Sequence, residues 1–596
     1  MITFRRLKAW SHIAISSALA LGSLPAVAQT PDLLYRGNFE TVTDAPASDA
    51  EAARFLTQAT FGPTRAEIAR LRAIGYGQWL DHQFSLPATL TRAWLDNLVA
   101  NPSFSLNSGH RVDRWWTQAV FAPDQLRQRM AFALSQILVT ADSGGIDTRM
   151  IAEYADILTR GAFGGYRSLL GQVSMSPTMG QWLTYVRNRA AFITGTPPTT
   201  ILPDENYARE VMQLFSFGLV KRNLDFSQQL AAGNPIPTYD NTIIGSLARV
   251  FTGLSYGRTN YTSTSFGNST NANLMAPMVC FPMISASNSN YSASGVTYHD
   301  NATKTVFDNL VMPAVSNTQA GCQQDIDLAL NHIANHATVA PVISRQLIQR
   351  FVSSNPSPAY IQRVATVFND NGQGVRGDLA AVLRAILLDS EARAAPAVSA
   401  GKVREPVLRM SAVWRALDVI AGQPDIGTNI GNVSMSLGFD GSFGQRAYNS
   451  PTVFNFYEPD YQNPGALQNA DLYSPEFQIL NESSVTRMNN TIQNRAADGG
   501  WYFVTGLASC TTVTRPCVQL DPYVQIIQTA NPITYALLID ELNLRLMYGA
   551  MSANMQTTLL TMVSRTPVPV TDSARVDRVR EILRVIIMSP EFAVQR

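Results

Sequence analysis

Glu205, Arg209 and Gln213 stand at i, i+4 and i+8, and with Glu210 they bring two carboxylates and a guanidinium into two helical turns. A carboxylate oriented by an arginine is equipped for general acid or base work, and the same residues also make a structural ion pair. His299 is followed by Asp300, a pairing that can orient a general base or simply start a helix, with Lys304 close behind as a binding candidate. His332 and His336 have the i, i+4 spacing of a shared metal, with His299 or a carboxylate as the candidate third ligand. The apolar stripe Ile326, Ala329, Leu330 and Ile333 sets His332 off the core face. Ala337-Thr338 ends that helix, so His336 is expected just beyond it, as a capping or binding residue. Gly253-Leu254-Ser255-Tyr256-Gly257 has nucleophile-elbow spacing, but the elbow needs a strand before its serine and a helix after. Here a helical run precedes and a polar loop follows, the pattern of a helix terminus. No complete catalytic set is legible, and no cofactor is implied.

The element that must position the first group is residues 203–215. Asp204 is the expected N-cap, Glu205 places negative charge at the positive end of the dipole, and Gly218 is the expected stop. Tyr207, Ala208, Val211, Met212, Leu214 and Phe215 cover most of the circumference, which predicts a largely buried helix. An unpaired buried ion costs several kcal/mol, so Arg209 is expected inside the protein with a carboxylate partner, Glu205 first.

Nearly every other run also has helical period. Thr64 and Glu67 form a capping box, a short helix after Gly75 carries Trp79 and Leu80, and residues 111–188 keep helical spacing between breakers at Pro123, Gly144-Gly145, 161–165 and Pro177. Further helices are expected at 323–334, 339–353 with Thr338 as cap, 377–393, 403–420 and from 533 to the end. Residues 383–393 and 583–595 loosely echo each other without a fixed repeat period. The expected fold is all-α: one large multi-helix domain over 52–596, with long irregular loops at about 256–300 and 422–530 and at most short β-hairpins inside them.

The N-terminus reads as an export signal over residues 1–28: basic Arg5, Arg6 and Lys8, a short apolar run, and Ala26-Val27-Ala28 before Gln29. The Arg5-Arg6 pair leaves the export route open between the general and twin-arginine pathways. A polar leader over 29–51 follows, and no later segment is apolar enough to span a membrane. The expected location is periplasmic or secreted. There, Cys510 and Cys517 around a short Thr/Pro loop form a natural local disulfide, which leaves Cys280 with Cys322. A net charge of +1, with 15% charged residues, excludes an electrostatic case for nucleic acid.

A set of short motifs then falls in a recognisable order. Arg54-Phe55-Leu56-Thr57-Gln58-Ala59-Thr60-Phe61-Gly62-Pro63-Thr64 is followed by Pro177-Thr178-Met179, Glu205-Asn206-Tyr207-Ala208-Arg209-Glu210, Phe251-Thr252-Gly253 and His299-Asp300. Arg376-Gly377-Asp378-Leu379, Lys402-Val403-Arg404-Glu405-Pro406, Ser450-Pro451-Thr452-Val453-Phe454 and Ser589-Pro590-Glu591-Phe592 continue it. From about Ala52 to Arg596 the chain resembles the bacterial exported family called domain of unknown function 1800, the 205–210 hexad being the most specific mark. The resemblance implies a mostly helical, extracytoplasmic protein with no assigned activity. It also implies a protein partner from a sulfatase-like family encoded nearby. One departure is Phe132-Ala133-Leu134-Ser135-Gln136, where many members carry a Trp/His-containing stretch. The resemblance further favours convergence of Glu205, Arg209, Glu210, His299, Asp300 and His336. Two functions fit. One is a binding or assembly protein with a structural polar cluster and loops that meet a partner or a glycan. The alternative is a hydrolase using a carboxylate and a histidine near the central helix.

Overall fold

Local caps start the helices. Ser48 Oγ accepts the Glu51 N–H, and Asp49–Ala59 follows with Ala52, Ala53, Phe55 and Leu56 buried. The helical fold therefore begins a few residues before the expected boundary at Ala52, because the cap lies in the polar leader. Thr64 starts Arg65–Ser85 by accepting the Glu67 N–H, and Gly75 (φ +81°) breaks that helix ahead of Trp79 and Leu80. Only half of the expected capping box forms: Glu67 Oε2 instead accepts the Trp79 indole N–H at 2.8 Å. The computed structural model describes residues 44–596 except 101–103, 143–144, 195, 260–264, 282–297, 397–399, 421–443, 498–501 and 505–516. Asp44–Arg596 form one compact, mainly helical unit. The signal at 1–28, the leader as far as Thr43, and Cys510 with its expected bridge to Cys517 lie outside the described residues.

Two interior helices hold the centre. Gln125–Ser135 and Pro406–Ala416 run through the core, the second buried at every position. Its arginines must then donate to backbone carbonyls. Arg415 reaches the carbonyls of Gly62 and Val120, both at 2.6 Å, and Arg409 that of Ile587 at 3.2 Å. Burial pulls both guanidinium pKa values down to about 10. Trp414 meets Trp116 edge-on at 5.2 Å. Gly62 (φ +135°) lies so close to this helix that a Cβ there would sit 2.7 Å from Ala412 Cα, which is why the Thr-Phe-Gly-Pro-Thr turn needs glycine.

The loose echo in the sequence is a repeated helical unit. Ser357 caps Pro358–Asn369, and after Leu379–Leu388 a four-residue helix Ser390–Arg393 returns Glu391, which accepts the Ser357 N–H at 3.0 Å and its hydroxyl. Ser552 caps Ala553–Ser564, and after Asp572–Met588 the four-residue helix Pro590–Ala593 returns Glu591. That carboxylate takes the Ser552 N–H at 2.8 Å and its hydroxyl at 2.6 Å. Both units clamp an N-cap serine with a distant glutamate, a feature that local periodicity does not carry.

Every described sheet has only two strands. The placement differs from expectation. The antiparallel pairs Phe192–Thr194 with Thr199–Ile201, Leu230–Ala231 with Asn234–Pro235, and Lys304–Thr305 with Val311–Met312 all lie outside the two loop regions. Two pairs are not hairpins: Tyr502–Val504 runs parallel to Cys517–Gln519, and Val594–Gln595 pairs with Lys402–Val403. Strands of two or three residues are too short to show an alternating pattern. Region 422–530 also holds a 16-residue helix, Glu482–Ala497, whose polar sequence hides its period.

Candidate functional site

The hexad forms a short helix, Asn206–Gln213. Asp204 does the capping work, its Oδ1 accepting the Asn206 N–H and its Oδ2 the Thr184 hydroxyl, both at 2.8 Å. Gly218 (φ +77°) ends the turn, with its N–H on the Met212 carbonyl at 3.0 Å. Tyr207, Ala208, Val211 and Met212 are buried, and Tyr207 stacks on Tyr185 at 4.0 Å. The polar stripe is not buried. Arg209 Nη2 lies 3.5 Å from Glu205 Oε2, the partner expected from spacing, but the side chains are 41% and 44% exposed. The apolar residues take the inward arc and turn positions 205, 209 and 213 toward water, which corrects the expected interior ion pair. Glu210 is the buried acid of the hexad. Burial raises its pKa against the pull of Arg209, and its Oε2 has no hydrogen-bond partner.

His299, Asp300 and Lys304 form a separate cluster near the C-terminal end of the following helix, Asn241–Val250, where Arg249 binds Asp300. Asp300 does not orient His299. It is held by Arg249, whose Nε and Nη2 donate at 2.6 and 3.0 Å, and although burial pushes its carboxyl up, that arginine keeps it below the usual range. The partner of His299 is Asp325: Nε2 lies 3.1 Å from its Oδ2, and Nδ1 lies 3.0 Å from the Thr252 carbonyl. Lys304 Nζ donates to the same Asp325 oxygen at 2.5 Å. Asp325 and Lys304 are fully enclosed and His299 nearly so. A Cβ on Gly253 (φ +82°) would lie 2.7 Å from His299 Cβ, so Phe-Thr-Gly and His-Asp pack directly together. Cys280 and Cys322 are joined by a disulfide that ties the strand Val279–Cys280 to the helix Gln319–Asn335, one turn before Asp325. Ser255 is buried and donates to the Phe266 carbonyl at 3.1 Å in a strand with no helix after it, so it is no elbow.

The two histidines at i, i+4 part company. His332 stacks on Phe307 at 4.5 Å and its Nε2 meets the Phe307 carbonyl at 3.1 Å. His336 is the residue after the helix; its Nδ1 accepts the Thr338 N–H at 3.2 Å, so Nε2 carries the proton toward Asp308, 3.3 Å away. Burial lowers its pKa to about 4. Among the described residues no three His, Cys, Asp or Glu side chains gather as metal ligands. The six residues favoured to converge thus occupy three places: Glu205, Arg209 and Glu210 on the hexad helix, His299 and Asp300 against Asp325 and Arg249, and His336 beside Asp308.

What the hexad helix does border is a cleft. The hexad lines none of it, but Gln213, Leu214 and Phe217–Val220 form one wall of a cavity of about 360 Å³. The opposite wall is the helix Val339–Phe351, through Val342, Arg345, Gln346 and Arg350. Ile137, Val139, Phe226 and Val453 make the sides apolar, and Asp460 at the rim holds Arg345 at 2.7 Å. At the floor are Gln136, Arg350 and Tyr457. The Arg350 guanidinium stacks over the Tyr457 ring at 4.6 Å. Behind them Glu405 is fully buried, its Oε2 accepting from Gln136 at 2.5 Å, from the Tyr457 hydroxyl at 3.0 Å and from Gln445. Lys402 pairs with Glu476 at 3.0 Å, and burial lowers the pKa of Lys402 and of the neighbouring Arg129. Arg129 and Lys402 both donate to the Arg350 carbonyl, at 2.5 and 3.0 Å.

These floor residues were absent from the candidates read in the sequence. The available signal was the Lys402-Val403-Arg404-Glu405-Pro406 motif, three charges beside a helix buried on all sides, together with the Phe132–Gln136 departure that supplies Gln136. A second cavity, of about 410 Å³, opens at Ser176-Pro177-Thr178 against Leu274 and Met275. Its rim arginines are already paired, Arg160 with Glu153 at 2.6 Å and Arg167 with Asp327 at 3.0 Å.

No curated protein and no solved structure matches this chain. A family model does, over residues 54–594, which take in both interior helices, the hexad helix and both walls of the cleft. Its description is protein of unknown function (DUF1800), and the chain belongs to that family.

Proposed function

We propose that this is an exported binding protein whose cleft between the hexad helix and Val339–Phe351 takes a small ligand. The observation that carries the reading is the make-up of that cleft: ligand-sized, apolar at the sides, with Arg350, Gln136 and Tyr457 converging at the floor. Support for export comes from the basic and apolar N-terminal stretch before Gln29 and from the Cys280–Cys322 bridge. The hydrolase alternative is weaker. No Ser, Thr, Cys or His lines the cleft among the described residues, Glu405 stands behind Tyr457, and His299 is locked inside a separate ion cluster. The test is to soak crystals with a panel of small amphipathic molecules and to measure binding in solution with and without Leu214→Trp at the wall. Occupants in the cleft whose binding the tryptophan blocks are the expected result. Turnover of ester, glycoside or phosphate reporters that is lost in Glu405→Gln would replace binding with hydrolysis.

A further inference from the structure

We infer that the ligand is a monoanion with an apolar body, a carboxylic acid whose carboxylate meets Arg350; this rests on the cleft being a binding site. Arg350 is 1% exposed, and its Nε and Nη1 have no hydrogen-bond partner. A guanidinium keeps its charge at any physiological pH, so this side chain holds a buried cation facing an aromatic ring and no acceptor. Both nearby carboxylates are held through one oxygen only, while Glu405 Oε1 and Glu476 Oε2 have no hydrogen-bond partner and lie beyond ion-pair distance of Arg350. Glu405 is held through Oε2 by three neutral donors, and Glu476 is paired with Lys402. Among the described residues no carboxylate lies within ion-pair distance of Arg350 or of Arg129. Arg129 satisfies one nitrogen on the Arg350 carbonyl and lies over the Phe351 ring at 4.8 Å.

Burying a cation without an acceptor is unfavourable unless something supplies one, and the cleft is where Arg350 meets outside space. Arg350 at the floor, with Arg129 and Lys402 buried behind it, makes three cations against two carboxylates, Glu405 and Glu476, so one negative charge completes the set. A dianion would overshoot, because the other charges lining the cleft, Arg222 and Arg345 against Glu458 and Asp460, cancel. The remaining walls set the rest of the ligand. Ile137, Val139, Phe217, Phe226 and Val342 offer hydrocarbon, which suits an alkyl or aromatic acid and not a sugar.

Calorimetric titration of the full-length mature protein tests this with 3-phenylpropionate and octanoate, each against its neutral alcohol and against phenyl phosphate. The acids should bind about 10- to 100-fold more tightly than the alcohols, and Arg350→Met should remove that difference while leaving alcohol binding in place. Without ligand, Arg350→Met should melt no lower than wild type, since the residue it replaces has no anion to lose. A lower melting temperature would make Arg350 a structural cation and overturn the inference. Acids and alcohols binding alike, or phenyl phosphate binding best, would overturn it too while leaving the cleft a binding site. Absence of binding by every probe would remove both readings.

Discussion

At the scale of single residues, charge has different consequences depending on whether water still reaches it. Arg209 and Glu205 are over two-fifths exposed, so Arg209→Ala should cost at most about 1 kcal/mol in urea denaturation. Asp325 is enclosed, pairs with Lys304 and hydrogen-bonds His299, so Asp325→Asn should cost on the order of 3–5 kcal/mol in the same measurement. Equal losses at the two sites would show that burial does not separate them. His336 adds a pH dependence. Its folded pKa, about 4, lies below the ordinary 6.5, so the unfolded chain takes up a proton first as pH falls. The stability it contributes is complete above about pH 6.5 and is lost between there and about pH 4, by roughly 1.4 kcal/mol per pKa unit. The groups facing it are Asp308, Lys221, His332 and Arg376, and Asp308, held low despite its burial by Lys221 and His336, titrates below that window. Chemical denaturation of His336→Gln from pH 7 to pH 4 should lack this slope.

At the scale of elements, the repeated serine–glutamate clamp and the disulfide each make a separable prediction. Ser357→Ala and Ser552→Ala should each lower stability by about 1 kcal/mol, because each removes an N-cap acceptor and strands the glutamate that returns to it. A cost at only one serine would mean that the two units are not energetically equivalent. The Cys280–Cys322 bridge closes a 42-residue separation and pins the helix that carries Asp325. Cys322→Ser should cost roughly 2–4 kcal/mol and lower the melting temperature, and the wild type should show the same fall under reducing conditions. A melt indifferent to reductant would show that the helix is held by packing alone.

At the scale of the whole molecule, a helical body from Asp44 onward follows a stretch with the composition of an export signal. The prediction is that protein recovered outside the cytoplasm begins at Gln29, as read by N-terminal sequencing. Recovery from the cytoplasm with Met1 intact would contradict it. The cleft belongs to this scale too, since its walls come from residues 136–139, 213–226, 342–350 and 453–460, four stretches far apart in the chain.

The amino-acid sequence by itself determined most of the helices, because caps such as Asp204 and Thr64, breakers such as Gly75 and Gly218, and a 3.6-residue apolar period act within a few residues of one another. It also determined the Glu205–Arg209 pair, whose i, i+4 spacing is a property of one helix. Which side of that helix meets water depended on Tyr185 and Phe251 packing against Tyr207, and only the tertiary structure decided that. The same holds for the partner of His299, which is Asp325 on another helix and not its chain neighbour Asp300. It holds above all for the floor of the cleft. Nothing local distinguishes Arg350 from the other arginines. Its burial, its missing acceptor and its place beside Tyr457 arise where distant helices meet, and long-range packing leaves no period in the sequence to read.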